Sequence, residues 1–309
     1  MSDVNLTAEK FRHVGKDLAK SQEVIRPSMT YWQDAWRRLK KNKVAIASLI
    51  LLIFILVMSF AGPHILPYEF DHQDFMVINK TAAEAPGHWF GTDALGRDIF
   101  VRVWTGTQVS MAIALIAVLI NVGIGIIYGG VSGYVGGTVD NVMMRTVDVL
   151  FSIPQMLWVI MLIVVIGPGF DTIVIALALT GWGGMARLVR GQVLQLREME
   201  FVLAAKTLGA SGRRIILRHL IPNSLGPIII NLTFAIPGAI FTEAFLSYIG
   251  LGLPVPQASL GSLANDGANL LLIHPYQLMY PSIVIVVLML GFNLLGDGLR
   301  DALDPRLRQ

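Results

Sequence analysis

The run VSMAIALIAVLINVGIGIIY, from Val109 to Tyr128, decides the fold: it is 20 residues long and carries no charge. At 1.5 Å rise per residue, a helix of that length reaches about 30 Å, the thickness of a bilayer's hydrocarbon core. Four further charge-free runs of 18 or 19 residues accompany it: Val44 to Ala61, Val149 to Ile166, Ser224 to Thr242 and Met279 to Gly296. All are too long and too uniformly apolar for strands of a membrane barrel, which alternate over roughly 10 residues. A sixth run, Thr172 to Ala186, has 15 uncharged residues between Asp171 and Arg187. Its length alone also suits a re-entrant segment; it is counted as a span.

Composition points the same way. Of 309 residues, 54% are hydrophobic and 15% charged, and the mean hydropathy is +0.62. A soluble domain carries roughly 25% charged side chains, so a water-soluble globule is excluded. The 30 glycines and 14 prolines follow no short repeat, and the chain is too rich in Leu, Ile and Val for disorder. There is no cysteine, which removes disulfides, thiolate catalysis and Cys-based metal sites.

Lys and Arg stay on the cytoplasmic side of short loops, so their placement sets sidedness. With six crossings, one face collects 21 of them and the other keeps only Lys80, Arg97 and Arg102. The expectation is an all-α, polytopic membrane protein of six transmembrane helices with both N- and C-termini cytoplasmic. A polar stretch of 43 residues precedes the first span, so no cleavable signal peptide is read there. Within that stretch Tyr31, Trp32, Ala35, Trp36 and Leu39 recur at helical spacing beside Arg37, Arg38, Lys40, Lys41 and Lys43. This predicts an amphipathic interfacial helix, with aromatics among headgroups and cations on anionic lipid. Residues 1–25 read as a mobile tail.

The outer segment, residues 62–108, holds His64, His72 and His88 among six carboxylates. No His pair has helical spacing, so it reads as a polar loop and no metal site is assigned. Gly125, Gly129, Gly133 and Gly137 make three small-x-x-x-small steps, which place glycines on one helix face for close helix packing. No G-x-x-x-x-G-K-[ST] phosphate loop occurs, so these glycines hold no nucleotide and the chain carries no ATP-hydrolysing site. Prolines 154, 227, 237 and 281 fall in or beside spans and can kink them. Ionisable groups at membrane depth are few: Asp148, Glu243 and Asp297, with no Lys, Arg or His inside a span to pair with them. Glu243 is the best lumen-facing group, with interfacial hydration as the competing reading.

The inner loop, residues 187–223, has seven basic side chains against two acidic ones. Its centre runs from Glu200 to Gly209 as a short helix with small residues in the middle and a glycine stop. Ser211 is an N-cap for a second helical run, Arg213 to Ile221, ended by Pro222. A helix pair of this kind suits docking of another protein; binding anionic lipid is the alternative. Gly209-Ala210-Ser211-Gly212 also matches a G-x-S-G of intramembrane serine proteases. That reading is rejected, because the tetrad lies in a hydrated basic loop and only His219 is near enough to activate Ser211.

At this loop the chain resembles the permease subunits of ATP-binding-cassette importers. Their E-A-A-x3-G-x9-I-x-L-P motif is the coupling helix seated in the ATPase. Ala204, Ala205, Gly209 and Pro222 match it in spacing, while Leu203, His219 and Ile221 occupy its Glu, Ile and Leu positions. Further stretches resemble the C-type permease of oligopeptide and dipeptide importers: Trp32 to Arg38, Gly91 to Asp98, Phe245-Leu246-Ser247 with Gly250-Leu251-Gly252, and Gly296 to Pro305. The likeness runs from about Tyr31 to the end.

What the resemblance implies is a non-hydrolysing permease subunit in the bacterial cytoplasmic (inner) membrane. It would work with a B-type permease, two ATP-binding subunits, an extracellular substrate-binding protein and a peptide substrate, and with no nucleic acid. ATP and Mg would sit in the partner ATPases, with no cofactor on this chain. Its segments would be a tail and interfacial helix (1–43), a first span (44–61), an outer loop (62–108), a core permease domain (109–297) and a cytoplasmic tail (298–309). Glu200, Phe201, Leu203, Ala204, Ala205, Lys206, Gly209, His219 and Pro222 would couple to the ATPase. Glu243 and Asp266, with Asn265 and the segment from Gly250 to Pro275, would face the path or the binding protein. Nickel or another small solute is an alternative cargo. An ion-gradient-driven carrier built on Glu243 and Asp148 is an alternative of another class.

Overall fold

The computed structural model describes residues 30–304, and these form helices joined by loops. The reading of a tail over residues 1–25, and the end of the motif at Pro305, lie outside the described residues. In chain order the helices are α1 (Tyr31–Lys41), α2 (Lys43–Ala61), α3 (Ile99–Val135), α4 (Gly137–Ser152), α5 (Gln155–Ile166) and α6 (Phe170–Leu196). There follow α7 (Glu200–Thr207), α8 (Gly212–Ile215), a π-helical turn (Ile216–Leu220), α9 (Ile221–Tyr248), α10 (Leu260–Asn269) and α11 (Tyr276–Leu303). Among the described residues five helical stretches are long and apolar enough to cross a membrane: Lys43–His64, Ile99–Val135, Phe170–Leu196, Gly212–Tyr248 and Tyr276–Leu303. A sixth crossing requires α4 and α5 to count as one broken span.

That break falls within the run read as one span, Val149 to Ile166, at the proline expected to kink it. α4 and α5 meet at 76°. Ile153 is extended (φ −83°, ψ 123°) because a residue before proline is pushed out of the α region, and Pro154 has no N–H to continue the ladder. The shortest run counted as a span, Thr172 to Ala186, lies inside the 27-residue α6. Length in charge-free residues understated it, because Arg187 and Arg190 sit on the same helix with ion partners.

α3 likewise starts ten residues before the expected Val109. Asp98 caps it, its Oδ1 accepting from the Val101 N–H at 2.8 Å, and Arg102 lies buried within its first turn. Pro222 does not end its helix either. The π turn widens the backbone just ahead of it, and the chain continues helically past Pro227 and Pro237 to Tyr248.

α3 packs along α6, and the glycine ridge sits in that seam. A Cβ on Gly125 would fall 2.6 Å from Met185 Cβ, one on Gly129 would run into the Ala186 carbonyl, and one on Gly133 would stand 2.8 Å from the Arg190 carbonyl. Only glycine lets these backbones approach so closely. Gly137 lies past the end of α3, as the first residue of α4, at φ +58°. α11 packs on α2 and α9, and α1 lays Leu39 against Ala45 and Ala302 while Trp32 and Trp36 stay 48% exposed. The Tyr31 hydroxyl donates to the Leu303 carbonyl at 3.1 Å. Outward-facing side chains of the long helices, among them Phe54, Ile127 and Val286, are apolar and exposed, as a lipid-contacting surface requires.

Candidate functional site

At one end of the bundle α6 stops at Leu196 and the chain turns into α7. Val202 is the anchor: it is buried with Val189, Val193, Ile215 and Leu220, and Ala205 packs partly against the same cluster. Gly209 reverses the chain at φ +81°, a conformation that costs a β-carbon-bearing residue, and Ser211 then caps α8 by accepting from the Arg214 N–H at 3.4 Å. Lys206 Nζ lies 5.6 Å from the Tyr134 ring centroid, and the His219 ring lies 6.5 Å from that of Phe201. Pinned this way, α7 presents Glu200, Phe201, Leu203 and Ala204 outward, with Pro222 also exposed and Leu208 at 87% exposure. Apolar side chains therefore stand free on this basic loop.

At the opposite end, the turn from Gly91 to Asp98 folds around Asp93. Its Oδ1 accepts from the Leu95 and Arg97 amides at 2.8 and 3.0 Å. Its Oδ2 accepts from Arg97 Nε at 2.7 Å and Arg102 Nη1 at 2.6 Å. Asp98 Oδ2 lies 2.8 Å from His88 Nδ1, and the His88 ring stacks on Tyr68 at 4.3 Å. Burial pushes the Asp98 carboxyl above its ordinary range, against hydrogen bonds from the Val101 amide and His88. Between this turn and α10 lies a cavity of 540 Å³, lined in part by Arg97, Arg102, Asn265, Asp266 and Gln277. Asp266 Oδ2 stands 4.0 Å from Arg102 Nη2, and its carboxyl is pushed up by burial, with Arg97 opposing and Asp93 adding. Among the described residues no group of three or more His and carboxylate side chains gathers as a metal cage.

Glu243 is wholly buried where α3, α9 and the start of α10 meet. Ser247 Oγ donates to its Oε1 at 2.8 Å, the Ser110 and Ser259 hydroxyls face the carboxyl group, and Oε2 is without a hydrogen bond. Ser247 lines that cavity, so Glu243 stands directly behind its wall. Asp148 faces Arg187 at 2.9 Å, and Asp297 is exposed on α11. The expectation of carboxylates without cationic partners therefore fails at Asp148. Two ion pairs had no local sequence signal: Asp140 with Arg190, and Asp93 with Arg102. The first joins residues 50 apart, which the packing of α4 against α6 brings together.

Comparisons with known proteins cover nearly the whole chain. Residues 121–309 match the family described as binding-protein-dependent transport system inner membrane component. Residues 30–86 match the N-terminal TM domain of oligopeptide transport permease C. The dipeptide transport system permease protein DppC of Bacillus subtilis (strain 168) is 50% identical over 94% of this chain and 90% of its own length. The oligopeptide permease OppC of the same organism is 44% identical over 99% of both chains. Among solved structures, an inward-facing MetNI methionine ABC transporter shares the fold, with a TM-score of 0.53 at 19% identity over 66% of this chain and 96% of that one.

Proposed function

This chain belongs to the family of inner-membrane components of binding-protein-dependent transport systems, on the branch of the OppC and DppC permeases, and we propose that it conducts peptides as half of an ATP-driven importer. It is a multi-pass membrane transport subunit. On this reading it crosses the bacterial cytoplasmic membrane six times, α4 and α5 together making one crossing. Both termini are cytoplasmic and α1 lies in the headgroup layer. Its partners are a B-type permease, two ATPases that bind ATP and Mg, and an extracellular receptor that delivers the peptide. Residues 1–43 form the tail and interfacial helix, 44–61 the first span, 62–108 the outer loop, 109–297 the permease core and 298–309 the closing tail.

The observation that carries the reading is the α7 knob: a rigidly anchored helix with an exposed apolar tip on the most basic loop. Glu200 to Gly209, with His219 and Pro222 at its base, forms the coupling surface, and Leu203 in place of an acidic residue makes that contact apolar. Closure of the ATPases on ATP moves α7, and the α3–α6 seam on Gly125, Gly129 and Gly133 carries the motion to the outer cavity. Asp266 lies on the path there, with Glu243 in the wall behind it.

Ala204 is exposed, so a charge there alters the docking face without entering the core. Ala204→Glu in the assembled importer is expected to lose ATPase co-purification and ATP-dependent peptide uptake while the permease stays folded. Undiminished assembly and uptake would overturn the coupling role.

A further inference from the structure

At the depth of the α4–α5 bend, α3, α6 and α9 enclose a second cleft, of 270 Å³, that has no charged lining residue. Its polar groups are the side-chain amides of Asn121, Gln155 and Asn231 and the hydroxyl of Thr242. Asn121 Nδ2 donates to the Leu177 carbonyl at 3.2 Å, which leaves its buried Oδ1 without a partner. Neither Gln155 nor Asn231 has a side-chain hydrogen bond among the described residues. Amides at this depth are costly against lipid tails, so they need something else to pair with.

Glycines make the room. A Cβ on Gly184 or Gly238 would meet nothing within 4 Å, so neither glycine is required by packing within this chain. Each sits in the middle of a helix, where glycine is less stable than alanine. Both line the cleft and keep it wide. Gly181 does a different job: a Cβ there would run into the Asn121 amide, so its absence lets that side chain reach across to α6.

We propose that this cleft is a membrane-depth subsite that pairs with the backbone amides of a peptide in transit. Asn and Gln both donate and accept, so they match any peptide N–H or C=O whatever the side chains. From Asn231 to Thr242 the α9 wall rises about 16 Å, the span of roughly five extended residues. A helix of a partner permease fits the amides less well, because its own backbone groups are already paired internally. The inference rests on the peptide-conducting reading and adds which part of the peptide is held, and by which residues.

The test uses the full importer in proteoliposomes, with a pentapeptide and its backbone N-methylated counterpart supplied at receptor saturation. Wild type is expected to move the unmethylated peptide faster, and Asn231→Leu to slow it about 10-fold and erase the difference between the two. Gly238→Leu is expected to cut uptake about 10-fold or more while the partner permease still co-purifies. The proposal is overturned if wild type transports peptide and the Asn231→Leu rates match it, or if Gly238→Leu releases the partner permease, which would make the cleft a subunit interface. A wild-type importer that moves no peptide of any kind removes the reading beneath it as well.

Discussion

Arg190 on α6 grips Asp140 on α4 at two points, Nε to Oδ1 at 2.5 Å and Nη2 to Oδ2 at 2.6 Å. Ser132 of α3 donates to the same Oδ1 at 2.5 Å, so three helices share one carboxylate. The Arg190 carbonyl is also what a side chain on Gly133 would strike, so the ion pair and the glycine seam hold the same point of α6.

Arg190→Lys keeps the charge and loses the planar two-point contact. It is expected to lower stability by about 1–2 kcal/mol, whereas Arg190→Met, which strands the buried carboxylate, should cost about 2–3 kcal/mol. Thermal melts of the detergent-purified chain would separate them. Equal melting temperatures for Arg190→Met and wild type would show that the pair is idle.

Gly129 and Gly123 differ by six positions on one helix and by what stands beside them. Gly129→Ala drives a methyl into the Ala186 carbonyl and should destabilise by about 1–3 kcal/mol as α3 and α6 separate. Gly123→Ala meets nothing within 4 Å and should stabilise by about 0.5–1 kcal/mol. The opposite signs, read as shifts in melting temperature, test the seam against a general dislike of substitution in α3.

Much of this was legible in sequence because the bilayer imposes a length and lipid forbids unpaired charge. Val109 to Tyr128 could be read that way; its true start at Ile99 could not, because that start takes the charged Arg102 into the helix. Arg102 enters the helix only because Asp93, nine residues earlier, folds back to meet it at 2.6 Å. The same blindness shortened α6, whose Arg187 and Arg190 find Asp148 and Asp140 on α4. Pro154 and Pro222 show the limit of local rules: one proline breaks its helix by 76°, and the other follows a π turn and continues. The helix pair around Gly209 was legible, since a glycine stop and the Ser211 cap mark where one helix ends and the next begins. The amide-lined cleft was not, because Asn121, Gln155 and Asn231 come from three separate helices.

Leu208 is 87% exposed at the tip of the knob. Leu208→Asp removes no buried contact, so the melting temperature should stay within the range of a surface change, about 0.5 kcal/mol. Affinity for the ATPase should fall about 10-fold or more, because a carboxylate would be desolvated in an apolar contact. A binding titration with the purified ATPase reads this directly, and unchanged affinity would move the coupling surface away from the tip.

Asp98 offers a pH test outside the membrane-spanning segments. Burial raises its carboxyl above the ordinary value of 3.8, so the folded protein holds that proton more tightly than the unfolded chain does. The resulting stabilisation is complete below the ordinary value and is lost as pH rises through the raised one. Asn caps a helix about as well as Asp and carries no charge to bury. Asp98→Asn should therefore gain most over wild type at pH above the raised value, and the gain should shrink as pH falls toward 4. Melting temperatures of both chains across that range decide it. A variant whose advantage grows on acidification would mean that the ionised carboxylate, facing His88 at 2.8 Å, is favoured by the fold and not penalised by it.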